Sequence, residues 1–331
     1  MPRMIVPARP RVATLIFAIV ALALVTVLLS TGASFASPGS ATPLAVGTAG
    51  PPVGDSTQQL VSGGLTRTFL VHVPASYTGS AAVPLVLAYH GLGGTGQGMS
   101  VLTHFSRVAD KDGFIVVYPD GINKAWMTNP SVDDTRFTRD LIGYLEAKYK
   151  IDARRVYATG MSNGGFMCYS LAYGLSDLIA AFAPVSALLP SPSAYLKFPR
   201  PVPVHIIQGT ADPLVPYNGG PLSPIASNSK VTVMSAPNTA SYFAKLDGCS
   251  TSATTESLPD KVPTDGSTAK RATYGGGRNG TEVVLITVVG GGHTWPGGLQ
   301  YLPASVVGPV CQDFDASELI WQFFARHTLG G

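Results

Sequence analysis

The sequence is poor in charge and in cysteine. Charged residues make up 12% of its 331 positions, about half the share usual in a soluble domain. No Asp or Glu precedes Asp55. The 3 cysteines, Cys168, Cys249 and Cys311, form no Cys-x-x-Cys motif and no Cys/His cluster, which excludes a dithiol redox centre or a zinc site of ordinary spacing. No internal repeat is visible, so solenoids and propellers are set aside. The formal net charge of +3 comes from the extreme N-terminus. Without Arg3, Arg9 and Arg11, Lys+Arg falls from 22 to 19, against 19 Asp+Glu. A neutral chain of this kind offers no electrostatic case for nucleic acid or an anionic membrane surface. Oligomeric state is not readable.

What is present is apolar and rich in loops. Hydrophobic residues are 45%, with 37 Gly and 27 Pro, enough for the core of one α/β domain of about 250–300 residues plus short extras. Residues 1–36 read as a secretory signal, with a basic start, the apolar run Val12 to Leu29, and Ser34-Phe35-Ala36 offering small residues for cleavage after Ala36. The other reading is an uncleaved anchor, since a run of about 18 residues just spans a bilayer. Ser37 to Gln59, rich in Ser, Pro, Gly, Ala and Thr, reads as a flexible linker, leaving 60–331 as the catalytic domain. An exported chain can hold a disulfide. Three thiols allow three single pairings; Cys249 with Cys311 is the favoured one, with Cys168 a buried free thiol on an apolar helix.

From Gly64 onward strands and helices alternate. Leu65 to Val73 fits an edge strand, while Pro84 to Tyr89 and Phe114 to Tyr118 are continuous apolar runs suited to strands buried on both faces. Helices are expected at Ser100 to Asp110, from a capping box at Ser131–Asp134 to Tyr149, at Asn163 to Tyr173, at Asn238 to Leu246 and at Ala316 to His327. Further strands are expected at Arg155 to Thr159, Ile179 to Val185, Val202 to Gln208 and Glu282 to Val289, with Ser250 to Lys270 a polar surface excursion. This pattern predicts a mostly parallel sheet flanked by helices on both faces.

Gly160-Met161-Ser162-Asn163-Gly164 matches G-x-S-x-G. A nucleophilic serine on a tight strand-to-helix turn needs small flanking residues, and here a strand enters the motif and an apolar helix leaves it, as in an α/β-hydrolase fold. The base is expected late in the chain. His293, in a glycine-rich loop directly after an apolar strand, is preferred over His72, His90, His104, His205 and His327. Asp212, after the strand VHIIQ, stands between the two; Asp247, Asp260 and Asp265 do not follow buried strands. The oxyanion donors are expected to be the amides of Asn163 and of Leu92 in His90-Gly91-Leu92-Gly93-Gly94, with His90 structural. This chemistry asks for no metal and no cofactor.

HGLGG, YPDG (Tyr118 to Gly121), VDD (Val132 to Asp134), GMSNGG, APVS (Ala183 to Ser186), GTADPLVPY and GGGHTWPGG together resemble the polyhydroxybutyrate depolymerase/feruloyl esterase group. That group is related to carbohydrate esterase family one and the esterase D type. The likeness runs in order over about residues 60–328. It implies carboxylic ester hydrolysis through an acyl-enzyme, with nucleophile Ser162, acid Asp212 and base His293. It also implies that Trp126, Tyr217 and Trp295 lie near the acyl pocket. Relatives that degrade insoluble polyester append a polymer-binding domain; this chain stops after its last helix, which favours soluble oligomers or small esters. Two other readings stay open: an acyltransferase with the same triad, and a non-catalytic cell-surface binding protein. A peptidase is disfavoured by the lack of a propeller-sized N-terminal region and of a carboxylate cluster for a peptide terminus.

Overall fold

Continuous apolar strands must be covered on both faces, and the chain folds accordingly. The computed structural model describes residues 52–127, 131–191, 198–224 and 231–330. A ten-stranded sheet is built from β1 (Gly54–Ser62), β2 (Leu65–Val73), β3 (Val83–Tyr89), β4 (Ile115–Pro119), β5 (Ile151–Met161), β6 (Ala181–Val185), β8 (Val204–Gly209), β11 (Thr254–Ser257), β12 (Thr268–Tyr274) and β13 (Val283–Val289). Their order across the sheet is β1-β2-β4-β3-β5-β6-β8-β13-β12-β11. The strands from β4 to β13 run parallel. The pairs at both margins are antiparallel. The two-residue strands β7 (Pro190–Ser191), β9 (Gly220–Pro221) and β10 (Thr232–Val233) form a separate small sheet.

The strand period of two sorts the core into two layers. Leu85, Leu87, Val156, Ala158 and Ile206 face α3 (Asp134–Lys148), α4 (Asn163–Gly174) and α5 (Ala236–Asp247). Val86, Ala88, Tyr157, Ala181 and Ile207 face α1 (Gly96–Thr103), α2 (Phe105–Asp112) and α7 (Ala316–Phe324). A short helix, α6 (Ala304–Val307), precedes α7. From β3 the chain first adds β4 on one side and then β5 on the other, so the connections diverge at the C-terminal ends of β3 and β5. In open α/β sheets that crevice is where ligands bind.

Several expectations need correction. Gly54 to Gln59 is not linker: with Leu60 to Ser62 it forms β1, paired with β2 from Gly54↔Val73 to Ser62↔Leu65. Its polar residues made it look unstructured, yet its side chains alternate between half-buried and exposed, as on a solvent-facing margin. Gly63 and Gly64, at φ +57° and +79°, close the hairpin as a two-residue turn needing positive φ requires. β2 is therefore second from the edge. The helix expected from Ser100 to Asp110 is two, broken at His104 with φ +51°. Asp133, not Ser131, caps α3, accepting the Arg136 N–H at 2.8 Å. Part of the Ser250–Lys270 excursion is strand, as β11 and the start of β12. Cys249 and Cys311 are both free thiols, because they lie in the layers on opposite faces of the sheet. Cys168 is a buried free thiol. The signal segment 1–36, and the linker as far as residue 51, lie outside the described residues.

Candidate active site

β5 runs into a turn that only small neighbours permit. A Cβ on Gly160 would lie 2.5 Å from the Gly164 carbonyl oxygen, and one on Gly164 would lie 2.1 Å from that of Tyr89. Ser162 sits between them at φ +56°, ψ −117°, a conformation that costs a non-glycine residue on the order of 1–3 kcal/mol. Its N–H donates to the Val185 carbonyl at 2.9 Å and its carbonyl accepts from Phe166 at 2.9 Å. The turn is thereby tied to both β6 and α4.

Asp212 and His293 arrive from the next strands but one and two along the sheet. Glycine makes their meeting possible: a Cβ on Gly209, at the end of β8, would lie 2.2 Å from the Gly291 carbonyl oxygen after β13. His293 Nδ1 lies 2.9 Å from Asp212 Oδ2, with both side chains buried. Asp212 is saturated by donors. Oδ1 accepts the Leu214 and Val215 N–H groups, each at 2.8 Å, and Oδ2 also accepts Gln208 Nε2 at 2.9 Å. A carboxylate among such donors requires a proton on Nδ1, which leaves Nε2 as the basic nitrogen. The backbone of His293 is held on both sides, its N–H donating to Val307 at 2.6 Å and its carbonyl accepting the Tyr301 hydroxyl at 3.0 Å. The serine turn and the histidine loop are linked through Ser186, next to Val185, whose hydroxyl donates to the Thr294 carbonyl at 3.3 Å.

The loop after β3 passes beside the serine: a Cβ on Gly91 would lie 3.5 Å from Ser162 Cβ. Gly93 and Gly94 turn their N–H groups inward, to the carbonyls of Lys124 at 2.8 Å and Gly91 at 3.0 Å. Among the described residues no protein acceptor takes the N–H of Leu92 or of Asn163. His90 holds this loop: its Nδ1 donates to the Gly91 carbonyl at 2.7 Å, and its Nε2 accepts the Gly121 N–H at 3.0 Å. Burial lowers its pKa, in keeping with a neutral structural imidazole.

The aromatic positions differ from expectation. Trp126 and Trp295 have no exposed surface and are framework rather than pocket wall. The Trp126 indole donates to the His90 carbonyl at 2.9 Å, and that of Trp295 to Ser317 Oγ at 3.1 Å. Tyr217 is half-buried, its hydroxyl 2.9 Å from that of Thr287. Exposed large side chains include Leu92, next to Gly91 in the loop after β3, Met127, next to Trp126, and Tyr301, whose hydroxyl donates to the His293 carbonyl. A cavity of about 420 Å³ is lined by Thr57, Leu70, Gly94, Thr95 and Lys124, among others, and by none of Ser162, Asp212 or His293. Sequence reasoning missed Gln208, a polar residue at the end of an apolar strand, and the Asn163 side chain, which pairs with the Trp126 backbone.

Comparison with known proteins gives the class. A protein of Nocardia uniformis subsp. tsuyamanensis described as an esterase, NocK, is 33% identical over 298 residues, covering 85% of each chain. The chain belongs to this esterase family. A feruloyl esterase B of Piromyces equi is 33% identical over 69% of the chain, although the match spans only 42% of that larger relative. Among solved structures, the acetyl xylan esterase from Aspergillus awamori superposes with a TM-score of 0.50 at 20% identity, covering 72% of this chain and 94% of that one. That likeness carries the α/β-hydrolase fold. No family model matches. The protein is accordingly a carboxylic ester hydrolase of the α/β-hydrolase fold.

Proposed function

We propose that this esterase cleaves its substrates through an acyl-enzyme on Ser162. His293 Nε2 takes the Ser162 proton as Oγ attacks the ester carbonyl. The oxyanion is stabilised by the Leu92 and Asn163 N–H groups. His293 then protonates the departing alcohol, and a water activated by the same imidazole releases the acid. Asp212 holds the tautomer and stabilises the imidazolium. The observation that carries this reading is the buried Asp212–His293 hydrogen bond, set at the C-terminal ends of strands beside the strained Ser162 turn.

The substrate reading is an ester with an apolar or aryl acyl group, in the range of feruloyl, short acyl and hydroxybutyrate esters. It is supported by the feruloyl esterase relatives and by the exposed Leu92, next to Gly91 in the loop that passes Ser162. Export with removal of residues 1–36 is part of the proposal, supported by the basic start, the apolar run and Ser34-Phe35-Ala36. The test is acid release from methyl ferulate, a hydroxybutyrate oligomer and a short acetyl ester. The full-length gene is expressed in a bacterial host, and the protein recovered from the medium is sequenced from its N-terminus. Turnover of at least one ester is expected, lost by about 10⁴-fold or more in Ser162→Ala, with Ser37 as first residue. Turnover surviving in Ser162→Ala would sink the nucleophile assignment, and an intact N-terminus would sink the export reading.

A further inference from the structure

Two motifs of the sequence, Tyr118–Gly121 and Val132–Asp134, stand apart from the three reactive residues, and one of them places a charge in the interior. Asp134 is 4% exposed and Arg67, on β2, is 2% exposed. Arg67 Nη2 lies 2.7 Å from Asp134 Oδ1, and its guanidinium stacks 3.8 Å over the Phe137 ring. A buried ion pair contributes little net stability, because desolvation offsets most of the attraction. What this one does is shown by its other oxygen.

Asp134 Oδ2 accepts the Met127 N–H at 2.8 Å. Met127 has φ +57°, a conformation a non-glycine residue holds only when its surroundings impose it. Its neighbour Trp126 is clamped in turn by Asn163, whose Oδ1 accepts the Trp126 N–H at 2.7 Å and whose Nδ2 donates to the Trp126 carbonyl at 3.1 Å. The Trp126 indole then anchors the His90 carbonyl at 2.9 Å, two residues from Leu92. Trp126, fully buried, therefore touches both chain segments that carry the proposed oxyanion donors.

We propose that the buried Arg67–Asp134 pair is the positioning device of the oxyanion hole. It fixes Met127 and Trp126, and Trp126 sets the Asn163 and Leu92 amides relative to Ser162. This rests on the reading of those two amides as the donors. Neither Arg67 nor Asp134 meets substrate. Because oxyanion donors bind the transition state more strongly than the ground state, displacing them lowers kcat and spares KM.

The experiment compares Arg67→Met/Asp134→Leu, which removes both charges and the acceptor for Met127, with Arg67→Met/Asp134→Asn, which restores an acceptor without charge. Thermal unfolding is measured for each, and active sites are counted by the end-point of fluorophosphonate labelling. Per labelled Ser162, kcat of the Leu variant is expected to fall about 10- to 100-fold. KM stays within about twofold, and the pH profile of kcat/KM is unchanged because Asp212 and His293 are untouched. The Asn variant recovers most of the loss. Wild-type kcat per labelled site in a folded Leu variant, or a loss in KM alone, overturns the proposal. If the Leu variant does not fold, Trp126→Phe decides: it deletes the bond to the His90 carbonyl and part of the ring packing but keeps the Asn163 clamp on the backbone, and unchanged kcat there overturns it equally. Failure of the underlying reading shows separately, as turnover retained in Ser162→Ala.

Discussion

Strand β13 has a histidine–carboxylate pair at each end. Where it leaves the sheet, His293 lies 2.9 Å from Asp212; just before it enters, Glu282 lies 3.1 Å from His327. The contacts are alike and the surroundings are not. Asp212 is held by neutral donors, two backbone amides and the Gln208 amide, so its charge remains available to the imidazolium that the proposed mechanism requires. Glu282 is already neutralised by the Arg326 guanidinium. At its end of the strand the His327 carbonyl accepts the Tyr157 hydroxyl at 2.7 Å and the ring packs 4.6 Å from Phe323, which is framework. The two pairs differ by address: on the proposed mechanism only the one at the C-terminal ends of parallel strands, near the strained Ser162 turn, serves as a base.

The largest effect expected tests that address directly. Asp212→Asn should lower kcat by about 10³- to 10⁴-fold, because an amide no longer enforces the Nδ1–H tautomer or stabilises its charged form. Glu282→Gln should leave kcat within about twofold. Steady-state kinetics of the two variants on one ester suffice, and a comparable loss in Glu282→Gln would break the comparison.

How far this was legible in the sequence follows from the same contrast. Strands β3 and β4 are unbroken apolar runs and β8 and β13 mostly apolar ones, and a chain can bury such runs on both faces in few ways. The loops after β8 and β13, and the G-x-S-x-G turn after β5, therefore marked Asp212, His293 and Ser162 as candidates before any geometry. β1 was not legible, since Asp55, Ser56, Thr57, Gln58 and Gln59 have a linker's composition and gain their structure only from pairing with β2. Arg67 and Asp134 are far apart in the chain, and no local pattern announces a pair formed only by the sheet and α3. Trp126 and Trp295 look the same in sequence whether they wall a pocket or fill a core. Cys249 and Cys311 could be separated only once the sheet lay between them.

A third carboxyl sharpens the contrast by having no counter-charge at hydrogen-bond distance. Asp247, at the end of α5, is fully buried, and neither of its oxygens has a hydrogen-bond partner among the described residues. Burial pushes its pKa up to about 7, against the opposing pull of the Arg278 and Arg200 charges. A carboxyl with a raised folded-state pKa adds stability that is complete below its unfolded pKa and lost as pH rises toward 7. Linkage puts the loss on the order of 3–4 kcal/mol between about pH 4 and 7. Urea unfolding at pH 5 and pH 8 should show wild type losing stability relative to Asp247→Asn over this window. Curves that stay parallel would mean that the buried carboxyl does not titrate there.

Glu282 should behave with the opposite sign and a smaller amplitude. The hydrogen bond with His327, followed by those with Arg326, draws its pKa down to about 2, although burial pushes the other way. A carboxyl with a depressed folded-state pKa stabilises the protein above its unfolded pKa and loses that contribution as pH falls through the folded value. The contribution of Glu282 is therefore full above about pH 5 and disappears toward pH 2, with a linkage size on the order of 2–3 kcal/mol. Glu282→Gln should be less stable than wild type at pH 6, and the two should converge as pH approaches 2. Convergence in stability, with kcat at pH 6 unchanged, would place this pair wholly in the framework. A constant gap at every pH would mean that the Gln side chain costs packing rather than charge, and that the carboxylate of Glu282 does less for the fold than its three short contacts imply.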